Sequence, residues 1–166
     1  ARMYVSEIFR GLDPAAFPKM TVIENEMDYD QMLVVREISI LSTCEHHFVT
    51  IDGKATIAYI PNGKVIGLSK IPRVIDVLAK RPQMQERLTE EVADLLMREL
   101  DAKGVAVVIE ASHSCMTVRG VHKPNSSFVT SAMRGAFKER LATRSEEIVL
   151  ELARLKVCSG LWHRSA

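Results

Sequence analysis

The chain has 166 residues, a formal net charge of +1, 47% hydrophobic residues and 26% charged residues. That length predicts one domain, over residues 1–166, able to bury roughly two-thirds of its unfolded surface, and the composition is ordinary for a soluble globular protein. A near-neutral balance excludes nucleic-acid binding through bulk electrostatics, so any anion site has to be local. No apolar run approaches the ~20 residues of a membrane span and no signal peptide is read, which predicts a cytoplasmic protein without a membrane partner.

In chain order, Ala1 to Arg10 places Met3, Val5, Ile8 and Phe9 on a partly helical period that Gly11 stops. The chain begins inside this helix, so residues upstream of it are expected. Asp13-Pro14 through Pro18 is a connector. Met32 to Thr43 predicts a strand that delivers Cys44 at its end. Phe48 to Ile60 predicts a second strand, with Asp52-Gly53 a turn or bulge signal inside it. Pro61-Asn62-Gly63 is a turn, after which Val65 and Ile66 lead into Gly67-Leu68-Ser69-Lys70.

Ser69 is a good N-cap for a helix whose Ile71, Val74, Ile75 and Leu78 form one stripe, with Pro72 tolerable in its first turn. Arg81-Pro82 separates it from a longer helix with Leu88, Val92, Leu95, Leu96 and Leu100 inward and Gly104 as its stop. Val105 to Met116 predicts a strand, Ser126 to Met133 a last strand, and Thr143 to Leu155 a terminal helix. Strands, a helix pair and strands again predict an α+β fold with an antiparallel sheet.

Chemistry concentrates in two short stretches. Cys44-Glu45-His46-His47 and His113-Ser114-Cys115 hold two of the chain's three Cys and three of its five His. Such usage reads as metal chemistry in a reducing compartment and not as a disulfide framework. Thiolate and imidazole are the ligands of zinc, and three protein ligands leave its fourth position open. On a strand Cys44 would share a face with His46; across a tight turn it would share one with His47. Val105, Val107, Ile109, Ala111, His113 and Cys115 have one parity, so the strand carries its apolar face into His113 and Cys115.

Anion chemistry has its own candidates. Ser69-Lys70 at a helix start, with Arg73 one turn on, offers N–H groups and cations to a phosphate. The bland alternative is a solvated helix face. Arg119 could add a fork-shaped donor. Gln85-Glu86 is either a plain first-turn pair or a carboxylate and amide able to read the N1–H and amine of guanine.

Cys44-Glu45-His46-His47, Ala58-Tyr59-Ile60-Pro61, Gly67-Leu68-Ser69-Lys70, Gln85-Glu86-Arg87-Leu88-Thr89 and His113-Ser114-Cys115-Met116 with Arg119-Gly120 occur in that order. From about Met3 to about Arg144 the chain resembles the type I GTP cyclohydrolases, zinc enzymes that open pteridine and folate biosynthesis. The resemblance implies zinc on Cys44, His47 and Cys115, with His46 and His113 as proton-transfer groups. It implies guanine binding at Gln85-Glu86, chiefly by Glu86. Ser69 would contact the ribose, and Lys70, Arg73, Arg119 and Arg2 the triphosphate.

The implied reaction is zinc-assisted attack of water at C8 of guanine while His113 protonates the imidazole ring. C8 leaves as formate, and the ribose rearranges and recloses as 7,8-dihydroneopterin triphosphate, with His113, His46 and Ser69 moving protons. The implied architecture is a tunnelling fold, a sheet with a helix pair on one face. Sheets of five subunits close a barrel, two pentamers stack into a decamer, and the sites lie between subunits.

Two departures stand out. An upstream arginine that the family uses for the triphosphate is absent, which raises the alternative of an inactive or truncated homologue. The stretch from about Lys156 to Ala166 matches nothing in the family; its Cys158 and His163 read as a free thiol and a surface imidazole, and His122 as a loop residue. Three competing readings fit less well. A structural zinc module uses four protein ligands. A nitrile reductase of queuosine biosynthesis shares the fold but uses a Cys nucleophile without this triad. A nucleic-acid deaminase needs Pro-Cys-x-x-Cys, which is missing.

Overall fold

A computed structural model of the chain describes residues 1–139. The helix expected over Thr143–Leu155, and Cys158, Trp162 and His163, lie outside the described residues. Seven strands are described: β1 Val22–Glu24, β2 Leu33–Cys44, β3 Thr50–Ile60, β4 Lys64–Ile66, β5 Pro82–Gln83, β6 Gly104–His113 and β7 Phe128–Gly135. The helices are α1 Lys70–Ala79, α2 Gln85–Leu100, α3 Ser114–Thr117 and α4 Ala136–Glu139, preceded by short helical turns between Tyr4 and Ala16.

Five strands form one sheet in the order β5-β2-β3-β6-β7, antiparallel except for the β5–β2 pair. The short β1 and β4 pair separately. α1 lies on β2, and α2 on β6 and β7. This is the expected α+β fold, an antiparallel-rich sheet with a helix pair on one face. No helix among the described residues is long and apolar enough to cross a membrane.

The core forms between that face and the helices. Ile71, Val74, Ile75 and Leu78 of α1 and Leu88, Val92, Leu96 and Leu100 of α2 meet Ile57, Val105, Val107 and Ile109 of the sheet. The two helical stripes are therefore buried as their 3.6-residue period predicts. Strand β6 is buried on both faces. Ala106 and Val108 point away from α1 and α2 into a smaller cluster with Met133 and with Phe137 of α4.

Three local expectations are corrected. Asp52-Gly53 is neither a turn nor a bulge, because Gly53 pairs regularly with Ile40 and Ala111. A Cβ at Gly53 would lie 2.3 Å from the Glu110 carbonyl oxygen and 2.4 Å from Ala111 Cβ, so the glycine serves close strand approach. The bulge is in β2, where the register shifts between Val35 and Ile38 and Glu37 has φ +58°. Gly104 does not stop α2; Asp101 does so in the left-handed region at φ +48°, and Gly104 opens β6. Ser69 holds the N-cap position of α1 but makes no capping hydrogen bond.

Candidate active site

The pairing register brings both ligand stretches to one end of the sheet. β2 ends at Cys44 and β3 starts at Thr50, so Glu45 to Val49 is the link between them. Ile51 near the start of β3 pairs with His113 at the end of β6, which places the turn beside α3 and Cys115. β5 then runs alongside Thr43 and Cys44 and leads directly into the N-terminus of α2. Ser42 Oγ donates to the Ala79 carbonyl at 2.7 Å, tying β2 to the last turn of α1.

The chain turns sharply after Cys44, with the Phe48 N–H donating to the Cys44 carbonyl at 2.8 Å and Phe48 at φ +54°. Glu45 anchors the turn from outside, through an ion pair with Arg87 of α2 and a 3.0 Å bond from its N–H to the Gln83 carbonyl. Sequence reasoning assigned Glu45 no role, and nothing local in the sequence marks a partner on another element.

Across this turn Cys44 and His47 face each other, with 3.8 Å between Sγ and Nδ1. Cys44 is buried, Cys115 half-buried and His47 exposed, and one donor atom from each lies within 4.8 Å of the other two. Donors on a tetrahedral zinc lie roughly 3.5–3.8 Å apart, given bonds of ~2.3 Å to sulfur and ~2.0 Å to nitrogen. The donor set and its spacing therefore fit zinc. Among the described residues the group comprises these three side chains. Cys115 belongs to the short helix α3 and not to the strand, as β6 ends at His113.

A cavity of about 230 Å³ opens over the three donors and is also bordered by His46, His113, Gln85, Glu86 and Phe128. Glu86 lies in the first turn of α2, where the positive end of the helix dipole favours a carboxylate. His113 is half-buried, and its ring meets that of Phe128 edge-on at 5.7 Å. Burial pushes the His113 pKa below its usual value, against an upward pull from the Glu86 charge. His113 Nε2 lies 2.8 Å from Gln85 Oε1. The Gln85 amide borders the cavity yet is only 1% exposed and bonded inside the protein. His46 is exposed beside His47, ring centroids 6.1 Å apart.

Five of the candidates stand elsewhere. Ser69 and Arg73 are exposed and Lys70 is half-buried, all at the start of α1. The end of α1 is what approaches Cys44, through Ser42 and Ala79. Ten residues of helix put its start about 15 Å away. Arg119 is exposed beyond α3, and Arg2 is exposed near the amino end. None of these five borders the cavity within this chain.

A family model described as GTP cyclohydrolase I matches residues 1–152. Proteins named GTP cyclohydrolase 1 from Edwardsiella ictaluri, Aeromonas hydrophila subsp. hydrophila and Aliivibrio fischeri are each 56% identical to the chain over 146 residues, 88% of its length. The matched stretch spans 66% of the first relative and 67% of the other two. Among solved structures, archaeosine synthase QueF-Like in the apo form aligns with a TM-score of 0.48 and 14% identity over 65% of this chain and 95% of that one. The cavity and its donors fall inside the region matched by the family model, and the chain belongs to the GTP cyclohydrolase I family.

Proposed function

We propose that this protein hydrolyses GTP to 7,8-dihydroneopterin triphosphate and formate, the first step of pteridine and tetrahydrofolate biosynthesis. The observation that carries the reading is the convergence of Cys44, His47 and Cys115 under a cavity edged by His113 and Glu86. Cys44, His47 and Cys115 would hold zinc, which when bound supplies the Lewis acidity that makes water a nucleophile near neutral pH. Thiolate ligands suit a reducing cytoplasm.

The chain's own residues have separable tasks in this reading. Glu86 accepts hydrogen bonds from the N1–H and amine of guanine, fixing the base with C8 toward the donors. His113 exchanges a proton with the imidazole ring of the base as that ring opens. His46 and Ser69 serve the later proton transfers at the ribose.

Lys70, Arg73, Arg119 and Arg2 supply the positive charge for the triphosphate. The ~15 Å of α1 that separates Ser69, Lys70 and Arg73 from the helix end near Cys44 supports these three coming from a neighbouring copy. A cavity of about 230 Å³ is also smaller than the roughly 300–1,000 Å³ of complete ligand sites. A barrel of five sheets, paired into a decamer, is the assembly proposed.

The test is incubation of the zinc-loaded protein with GTP, with formate measured directly and neopterin read by fluorescence after oxidation. Both products in equal amounts are expected. Intact GTP after prolonged incubation, with zinc stoichiometrically bound, would remove the reading.

A further inference from the structure

Gln85 opens α2 with a side chain only 1% exposed, so its amide atoms need partners inside the protein. Its Nε2 lies 3.0 Å from the Ile109 carbonyl, 2.9 Å from the Phe128 carbonyl and 3.1 Å from Thr130 Oγ1. Backbone carbonyls only accept, so the atom turned toward them is the NH₂ group and not the amide oxygen.

The neighbouring hydroxyls agree with that orientation. Thr89 Oγ1 lies 2.7 Å from the Gln85 carbonyl and 2.7 Å from Thr130 Oγ1. Thr89 has one hydrogen and gives it to the carbonyl. Thr130 then donates to Thr89 and keeps a lone pair for Gln85 Nε2. Gln85 Oε1 is thereby left as an acceptor, 2.8 Å from His113 Nε2. Only an N–H can satisfy that contact. The Phe128 ring, edge-on to the imidazole, restricts its rotation, and the Phe128 carbonyl is one of the groups that orients Gln85.

The geometry points to Gln85 as a positioning residue that holds neutral His113 in the tautomer protonated on Nε2, leaving the lone pair on Nδ1. Any proton exchanged with a bound base then passes through Nδ1. The tautomer stands on the hydrogen bonds alone; this consequence rests on the proton-transfer role proposed for His113. It also separates the two residues opening α2: Glu86 reads the base, and Gln85 serves the imidazole.

The experiment is ¹H–¹⁵N spectroscopy of the zinc-loaded protein labelled at histidine nitrogens, with His113 assigned by its loss in His113→Gln. The expected result is a pyrrole-type nitrogen at Nε2 and a pyridine-type nitrogen at Nδ1, giving way to a tautomer mixture in Gln85→Leu. The reverse tautomer in the parent, or an unchanged one in Gln85→Leu, overturns the assignment. Should Gln85→Leu fail to fold, the parent spectrum still decides. In GTP turnover, Gln85→Leu is expected to lose on the order of 100-fold in kcat, with KM and zinc content kept. A raised KM at unchanged kcat would make Gln85 a direct substrate contact and overturn the positioning role. A parent that turns over no GTP would refute the proposed function while the spectrum still reported the tautomer.

Discussion

Cys115 and His113 sit two positions apart, yet their variants are expected to differ in whether zinc is kept. Cys115 is one of three close donors, so Cys115→Ser is expected to lose zinc and GTP turnover together. His113 stands outside that group and bonds Gln85 instead. His113→Ala is therefore expected to keep a full complement of zinc while formate release falls roughly 10²–10⁴-fold, the usual share of a general acid–base group. Metal analysis beside a formate assay separates the two variants; loss of zinc in His113→Ala would place His113 among the ligands. Tyr59 offers a pH test. Burial raises its phenol pKa above the usual value of 10.0, partly offset by the Ile66 N–H that donates to it. A raised value means the phenolate is disfavoured in the folded protein. Its contribution to stability is thus intact below about pH 10 and is lost as pH rises through the folded value. Tyr59→Phe is expected to cost about 1 kcal/mol or less at pH 8 and to flatten the decline above pH 10, as read by denaturant unfolding.

The bulge in β2 decides which face of the sheet carries Cys44, one of the three side chains able to hold a metal. Before it, Leu33 and Val35 pack on the helix side and Met32 and Val34 on the opposite side. Beyond it the parity is exchanged, with Ile38, Ile40 and Cys44 in the helix-side core. One extra residue accounts for the exchange, because side chains alternate with a period of two. Deleting Glu37 would remove that residue. Either β2 slips against β3, or Cys44 is carried to the face away from Cys115. The expected outcome is zinc binding reduced to background, with a lowered Tm, measured by metal analysis and thermal unfolding. Retained stoichiometric zinc would show that the end of β2 finds its place without the bulge.

Across the whole molecule, Lys70 and Arg73, proposed for the triphosphate, stand at the start of α1, whereas Cys44 meets the other end of that helix through Ser42 and Ala79. Sites shared between copies predict complementation. Lys70→Ala and Cys115→Ser chains, each inactive alone, would regain activity when co-assembled. Random mixing in a symmetric ring restores on the order of a quarter of the sites. Turnover of the mixed assembly, with its mass confirmed by light scattering, checks this. No recovery in a demonstrably mixed assembly would mean that each chain builds its site alone.

Sequence by itself determined the strand and helix periods and the core stripes, because each depends on residues within a few positions of one another; between His46 and His47 it left the choice open. Leu88, Val92 and Leu96 announce their helix face whatever the helix packs on. The family was equally legible, since Cys44-Glu45-His46-His47 and His113-Ser114-Cys115 carry rare side chains in fixed order. Tertiary structure alone decided the rest. Asp52-Gly53 looks like a turn until Ala111, from a strand far along the chain, is seen to need the space. Gln85 looks like a free amide until Ile109, Phe128 and Thr130 close around it. Those contacts join residues tens of positions apart, and strand register, which no local period encodes, determines which of them meet.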